Sequence, residues 1–158
     1  MKFNFPKKRI AAGALILNKN KVLITKAGYK NHWSFPGGIV EEFESPKDCA
    51  KRETKEEIGL DIEVVRPLTI QYLKRRDEGG INEGGINESI QMLFLCKLVK
   101  GEKFSDIKFI DGETTEHKFV LPKMVPKMIS KWGAKRWKSV IEALRENKVI
   151  YLENKYKK

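Results

Sequence analysis

The residues of this chain that are best suited to chemistry are three glutamates in one short stretch. Glu53, Glu56 and Glu57 are spaced i, i+3 and i+4, so they share one face if the stretch is helical. Like charges at this spacing repel each other, and a bound cation is their natural counter-charge. Oxygen ligands without a His or Cys partner favour Mg²⁺ or Mn²⁺ over zinc. The stretch therefore predicts a divalent metal site able to hold a diphosphate.

A helix with clear end signals must position these glutamates. Ser45 is a favourable N-cap, Pro46 suits the first helical turn, and Gly59 suits the C-terminal cap. These signals predict a helix from Pro46 to Ile58. Arg52 lies beside the glutamates on this helix and can neutralise part of their charge through a bidentate pair.

A glycine turn and a fourth carboxylate precede the helix. Because Gly38 has no Cβ, the chain can pass close to an ion there, and the Gly38 carbonyl oxygen is a further candidate metal ligand. Glu44 stands between the turn and the helix. An exposed acidic helix face is the alternative interpretation, and the turn, the cap and Glu44 together argue against it.

The turn, the arginine and the glutamates match a known signature. It has the form Gly-x5-Glu-x7-Arg-Glu-U-x-Glu-Glu-x-Gly-U, where U is a bulky aliphatic residue. The residues that meet it are Gly38, Glu44, Arg52, Glu53, Glu56, Glu57, Gly59 and Leu60. One position departs, because Thr54 replaces an aliphatic residue, and this leaves the acidic positions unchanged. Over residues 38–60 the chain therefore resembles the Nudix hydrolase family, in its MutT-like form.

The resemblance implies an activity and a role for each matching residue. The activity is hydrolysis of a nucleoside diphosphate linked to another group, with Mg²⁺ clamping the diphosphate while water attacks phosphorus. Glu53, Glu56 and Glu57 would hold the metal. Arg52 would orient these ligands, and Glu44 would support the site.

The general base stays open between two segments. Glu57 is one candidate. Glu113 and Glu116 are the others, because relatives carry a similar acidic residue before an aromatic strand. Glu113 and Glu116 could equally be exposed loop charges without a part in the reaction.

Apolar patterning predicts a sheet that is covered on both faces. The predicted strands run over residues 10–17, 22–27, 61–73, 89–99 and 118–121. The fourth of these is apolar on both faces, which is typical of a buried strand. A short helix is expected from Pro126 to Gly133. A longer one follows, with a core stripe of Trp137, Val140, Ile141 and Leu144. With the resemblance, this predicts an α/β fold: an α/β/α sandwich around a mixed sheet.

Length and composition fit one enzyme domain. The 158 residues are 41% hydrophobic, enough for one core, so we expect a single domain over residues 1–158 with a basic helical part at 122–158. Cys49 and Cys96 have no CxxC spacing, which favours a reducing cytoplasm over a disulfide framework. No apolar run approaches ~20 residues, so no membrane span is expected.

The net charge and one sequence repeat bear on which molecules the protein could bind. The formal net charge is +11, with most of the excess after Leu121, and such a surface could attract an RNA 5′ end or simply keep the protein soluble. A pentapeptide, Gly-Gly-Ile-Asn-Glu, occurs twice in residues 79–88. This loop could close over phosphates as a lid or act as a spacer.

Three functions remain open at this point. The first is a Mg²⁺-dependent pyrophosphohydrolase acting on a nucleotide or small NDP-linked molecule, such as an oxidised purine nucleoside triphosphate. The second is an RNA 5′ pyrophosphohydrolase. The third is a non-catalytic nucleotide- or RNA-binding module, although three mutually repelling glutamates argue against it. A homodimer is as compatible with the sequence as a monomer.

Overall fold

The computed structural model describes residue 5 and residues 7–74 and 88–154. Within these ranges the chain forms seven strands and three α-helices. In chain order they are β1 (Arg9–Asn18), β2 (Lys21–Ala27), β3 (Gly37–Ile39), α1 (Pro46–Ile58), β4 (Ile62–Lys74), β5 (Glu88–Leu98), β6 (Thr114–Val120), α2 (Val125–Met128), α3 (Lys131–Arg145) and β7 (Ile150–Asn154).

Strand β1 lies at the centre of one mixed sheet with the order β6-β2-β1-β5-β4-β7. It pairs in parallel with β5 along most of its length, whereas its antiparallel pairing with β2 is limited to the hairpin end. Beyond that end the two strands separate, and β3 pairs with β1 instead, at Ala12↔Gly38 and its neighbours. A bridge between Thr25 and Ser34 ties the same segment to β2. The glycine turn therefore enters the sheet between β1 and β2.

Helices cover both faces of this sheet. On one face, Cys49 and Ile58 of α1 join a buried cluster with side chains of β1, β2 and β5. On the other face, Trp137 and Val140 of α3 join a second buried cluster with the same three strands and β4. The predicted α/β/α sandwich is confirmed, with β5 buried on both faces as expected.

The predicted helix from Pro46 to Ile58 is confirmed as α1. The Oγ of Ser45 accepts the N–H of Asp48 at 3.1 Å, and Gly59 ends the helix at a φ of 73°, a conformation that favours glycine. Thr54, the departure from the signature, is buried. Its hydroxyl donates to the carbonyl oxygen four residues earlier at 2.7 Å, so burial does not leave this hydroxyl unpaired.

The predicted helix from Pro126 to Gly133 is wrong. Helix α2 is a single turn, and α3 begins directly after Ser130. The Oγ of Ser130 accepts the N–H of Gly133 at 3.2 Å. Gly133 is thus part of the first turn of α3, because the serine cap at this position starts a helix before the glycine could end one.

We expected a helical C-terminal part, and this is only partly right. After α3 the chain ends in strand β7, which pairs in parallel with β4. Arg66 of β4 stabilises the turn between α3 and β7. Its guanidinium donates to the carbonyl oxygens of Ala143 at 2.8 Å and Lys148 at 3.0 Å. The Ala143 carbonyl oxygen also accepts the N–H of Lys148 at 3.2 Å, so the guanidinium ties the last turn of α3 to the turn that follows it.

Several expectations lie outside the described residues. The tandem repeat is one, since of residues 79–88 only Glu88 is described, and the last lysines, from residue 155 onward, are another. Within the described ranges, no helix has both the length and the apolar character that a membrane crossing requires.

Candidate active site

Glu57 is held between two elements that meet at the gap in the sheet. The Thr25 hydroxyl of β2 donates to its Oε2 at 2.9 Å, and the Gly37 N–H of β3 donates to its Oε1 at 3.1 Å. Burial raises the pKa of Glu57 to about 7, although these two hydrogen bonds oppose the shift. A carboxyl group whose pKa is raised toward neutral pH is suited to act as a general base.

Arg52 gathers three of the other carboxylates. Its Nε and Nη2 donate to the two oxygens of Glu44 at 2.7 and 3.1 Å. Its Nη1 donates to Glu53 at 2.9 Å and to Glu56 at 3.2 Å. The bonds from Arg52 lower the pKa of Glu44 to about 2. The bidentate pair with Glu44 thus fixes the guanidinium, and the remaining donor orients two of the predicted metal ligands.

Glu53 and Glu57 line a common cavity of about 530 Å³, here called the acid cavity. Other residues in its wall include Tyr29, Lys30, Asp111 and Glu113. Burial raises the pKa of Glu53 despite its bond to Arg52. Two carboxylates with raised pKa values in one cavity are a site where a cation would stabilise the ionised forms.

Gly38 forms the wall against which Glu53 lies. A Cβ at position 38 would stand 2.2 Å from the Glu53 Oε1, so only glycine leaves room for this carboxylate. The Gly38 carbonyl oxygen is within 3.7 Å of the Cys49 Sγ. The role of that oxygen as a metal ligand stays a prediction.

The two candidate bases outside α1 lie in different places. Glu113 lines the acid cavity, and the Tyr29 hydroxyl donates to it at 3.3 Å. Glu116 pairs in register with Lys26 on β2, one position from Thr25, so its side chain lies on the opposite face of the sheet from Glu57. It forms an ion pair with Lys26 at 3.7 Å. The structure therefore brings Glu113 to the site and leaves Glu116 out of it.

The oxygen donors fit a divalent cation in type, and their present orientation is set by Arg52. Within residues 7–74 and 88–154, no three His, Cys, Asp or Glu side chains are arranged to hold a metal together. Glu53 and Glu56 both point to Arg52. A metal would therefore have to draw these two carboxylates away from the guanidinium, while Glu44 keeps Arg52 in place.

Sequence reasoning missed the residues that support Glu57. Thr25 is a polar residue that directly follows the apolar run Val22 to Ile24 of β2, and this was the available signal. Asp111 accepts the N–H groups of Glu113 and Thr114 at 2.9 and 2.8 Å. Although burial raises its pKa, these hydrogen bonds lower it overall. Asp111 thus stays ionised and shapes the loop that presents Glu113.

Phe43 occupies a strained position in the loop before α1. Its φ is 61°, in the left-handed region, and its side chain is 100% exposed. A left-handed conformation costs a non-glycine residue about 1–2 kcal/mol, and the exposed ring makes no compensating contact. We expect Phe43→Gly to raise the free energy of unfolding by about 0.5–1 kcal/mol, part of the gain being offset by glycine's greater freedom in the unfolded chain.

Urea denaturation of the wild type, Phe43→Gly and Phe43→Ala measures this effect. The alanine variant is the matched control, because it removes the ring and keeps the Cβ. An equal gain in both variants would assign the effect to the exposed ring instead of the backbone.

Comparisons with known proteins agree on one family. The model of the NUDIX domain matches residues 7–141. An 8-oxo-dGTP diphosphatase of Proteus vulgaris is 42% identical over 60 residues, which are 35% of this chain and 54% of that protein. An RNA pyrophosphohydrolase of Hydrogenovibrio crunogenus is 44% identical over 57 residues, 35% of this chain and 34% of that protein. The matches thus span about half or less of these curated relatives.

A solved structure extends the likeness to the whole fold. An ADP-ribose pyrophosphatase from Streptococcus suis is similar to this chain with a TM-score of 0.67. The likeness covers 94% of this chain and 100% of that one, at 24% identity.

Proposed function

Because this chain belongs to the NUDIX family, we propose that it is a divalent-metal-dependent hydrolase of the diphosphate bond in a nucleoside diphosphate linked to another group. The observation that carries this proposal is the acid cavity, whose wall contains the partly buried Glu57 with a pKa of about 7 together with Glu53 and Lys30. A base, a cation-binding carboxylate and a positive charge around one cavity are what we expect of a site that binds and hydrolyses a diphosphate.

Glu57 acts as the general base in this proposal. Thr25 and Gly37 fix both of its oxygens, so the carboxylate keeps one orientation toward the cavity, and in its ionised form it can accept a proton from water. Glu113 is the alternative base, since it lines the same cavity.

The metal ligands follow from the donors around the cavity. Glu53, Glu56, Glu57 and the Gly38 carbonyl would hold Mg²⁺, with Mn²⁺ as the second choice. When bound, the metal supplies an activated water and neutralises charge on the leaving phosphate. Arg52 acts by positioning, because its bond to Glu44 would hold the guanidinium in place beside Glu53 and Glu56 when these two carboxylates bind the metal.

For the substrate, we favour a nucleoside triphosphate such as an oxidised purine nucleotide, or a small NDP-linked molecule. The likeness to an 8-oxo-dGTP diphosphatase supports this choice. A 5′-triphosphorylated RNA is the second candidate, favoured by the likeness to an RNA pyrophosphohydrolase and by the net charge of +11.

The setting of the protein is also proposed. We expect one domain over residues 1–158, working in the cytoplasm. Cys49 and Cys96 are free and buried, and burial raises the pKa of both thiols, so neither is a ready disulfide partner.

The test is Mg²⁺-dependent release of phosphate or pyrophosphate from a substrate panel. The panel contains nucleoside triphosphates, 8-oxo-dGTP, ADP-ribose, NDP-sugars, dinucleoside polyphosphates and 5′-triphosphorylated RNA. Glu57→Gln is the blank and Glu63→Gln is the matched control, because Glu63 is exposed and pairs with Lys97 on the sheet, apart from the acid cavity. We expect one class to turn over in the wild type and control and to be lost in the blank. Metal-bound protein that hydrolyses none of these compounds would contradict the proposal.

A further inference from the structure

A second cavity lies on the α3 side of the sheet, next to the acid cavity. Its volume is about 220 Å³, and we call it the α3 cavity. Most of its wall is apolar, including Trp33, Phe35, Met92, Leu93 and Ile129. Ser34 and residues 37–39 border both cavities. One molecule can therefore place a phosphate beside Glu57 and another of its groups in the α3 cavity.

Arg136 is the charged side chain in this wall. It is the sole charged residue among the described residues that line the α3 cavity. Its Nε is shielded from solvent and has no hydrogen-bond partner within the described ranges. Burial lowers the pKa of Arg136 to about 10, because desolvation disfavours its charged form. A buried donor of this kind is costly unless a ligand supplies the acceptor.

Neighbouring strands add further hydrogen-bonding groups on the same side. Gln91 of β5 lines the α3 cavity, and its cross-strand partner on β4 is Gln71. Gln71 is fully buried, and both of its amide atoms lack a partner among the described residues, as does the Oγ1 of Thr69. In native proteins nearly all such groups are paired. This face of the sheet thus has hydrogen-bonding atoms that find no partner in the described part of the chain.

We propose that Arg136 is the specificity-determining residue of this enzyme, and that it selects a guanine-type base in the α3 cavity. This inference rests on the proposed function. The guanidinium group only donates, and the edge of unoxidised guanine presents two acceptors, N7 and O6, at the spacing of a bidentate arginine pair. Among the proposed substrates this selects an unoxidised guanine nucleotide, because the N7 of an 8-oxo-purine carries a hydrogen and would donate. Adenine presents an amino donor beside its N7, so an N–H of Arg136 would face this amino group and the bidentate pair could not form.

The cavity wall favours a base over a phosphate. A flat heterocycle buries its faces against Trp33, Phe35 and the aliphatic side chains, which is favourable in an apolar cavity. A phosphate would lose its hydration there and find one cation only. Gln91 is compatible with the base because its amide offers both a donor and an acceptor.

Equilibrium binding of GMP and AMP to wild type, Arg136→Gln and Arg136→Lys tests the proposal without turnover. We expect the wild type to bind GMP at least tenfold more tightly than AMP. Arg136→Gln should weaken GMP binding by about 10- to 100-fold, the value of one bidentate contact to a base, with AMP nearly unchanged. Arg136→Lys should recover little, because lysine supplies the charge without the fork. Lys138→Gln, an exposed change on the same helix, should leave both affinities as they are.

Ribose 5-phosphate separates the base from the phosphate. If its binding falls by the same factor as that of GMP in Arg136→Gln, the arginine contacts phosphate and the proposal is overturned. Equal wild-type affinities for GMP and AMP also overturn it, so the test holds even if a variant does not fold. Failure of the proposed function looks different, because it would show as the absence of Mg²⁺-dependent turnover in a protein that still discriminates between the two nucleotides.

Discussion

Replacing Glu57 by glutamine is expected to lower kcat by about 10²- to 10⁴-fold, the usual contribution of a general base. Glutamine keeps the shape of the side chain and cannot accept the proton. The surrounding hydrogen bonds can adapt, because the Gly37 N–H still finds the amide oxygen and the Thr25 hydroxyl can rotate to accept from the amide nitrogen. The loss would therefore be chemical and not structural.

The same change should stabilise the metal-free protein above neutral pH. The pKa of Glu57 is about 7 in the folded state, raised from its ordinary value of 4.5. A raised carboxyl pKa means that the folded state binds the proton more tightly than the unfolded chain, so the wild type loses stability as pH rises from about 4.5 to 7. Glutamine does not ionise and avoids this loss, a difference of about 1–3 kcal/mol at pH 8.

Urea denaturation at pH 4 and pH 8 with chelator present, together with steady-state kinetics, measures both effects. The two proteins should be about equally stable at pH 4, where Glu57 is protonated in both states, and Glu57→Gln should be the more stable at pH 8. Glu63→Gln controls for the loss of one negative charge. An unchanged kcat would show that Glu57 takes no part in the reaction. If the free energy of unfolding changed equally with pH in both proteins, ionisation of Glu57 would have no effect on stability.

Alanine at the two neighbouring glycines is expected to separate folding from activity. At position 37 a Cβ would stand 2.4 Å from the Ala12 carbonyl oxygen and 2.7 Å from the Gly13 Cα. Both are backbone atoms of β1, which cannot move aside cheaply. We expect Gly37→Ala to cost about 3 kcal/mol or more of unfolding free energy, at the upper end of overpacking effects.

At position 38 the Cβ would meet the far end of the Glu53 side chain, 2.2 Å from Oε1 and 2.4 Å from Cδ. That side chain can swing away, so Gly38→Ala should lose less than about 1 kcal/mol of stability, the scale of a surface substitution. It would move a predicted metal ligand by about an ångström, and a misplacement of that size can lower kcat about 10²-fold.

Thermal unfolding and kcat, measured side by side, distinguish the two variants, and each serves as the control for the other. The expected pattern is a marked loss of stability for Gly37→Ala, and a loss of activity with near-normal stability for Gly38→Ala. Equal stability of both variants would contradict the geometry of β3 against β1. Normal activity of Gly38→Ala would show that the contact with Glu53 does not matter for the reaction.

The parts of this molecule that could be predicted from the sequence are those encoded locally. Helix α1 has its cap, its proline and its terminal glycine within a few residues of the glutamates it carries, so both its ends and its acidic face were predictable. Strands β1, β2, β4 and β5 were predicted from the apolar patterning of short segments, which depends on neighbouring residues only.

The parts that could not be predicted depend on residues distant in sequence. Thr25 of strand β2 donates to Glu57 of helix α1. Arg136 of α3 and Gln91 of β5 line the same cavity. Strand β7 was missed because its pairing partner β4 lies far earlier in the chain. The separation of Glu113 from Glu116 likewise needed the register of β6 against β2.

The parallel pairing of β1 with β5 has a consequence for how the molecule folds. It joins residues as far apart as Arg9 and Ser89, and such distant contacts slow folding because the intervening loop must close first. The acid cavity draws most of its wall from residues 25–57, whereas the α3 cavity needs β1, β5 and α3 together. During synthesis, most of the acid-cavity wall is therefore present in the chain before the segments β5 and α3, which complete the wall of the α3 cavity.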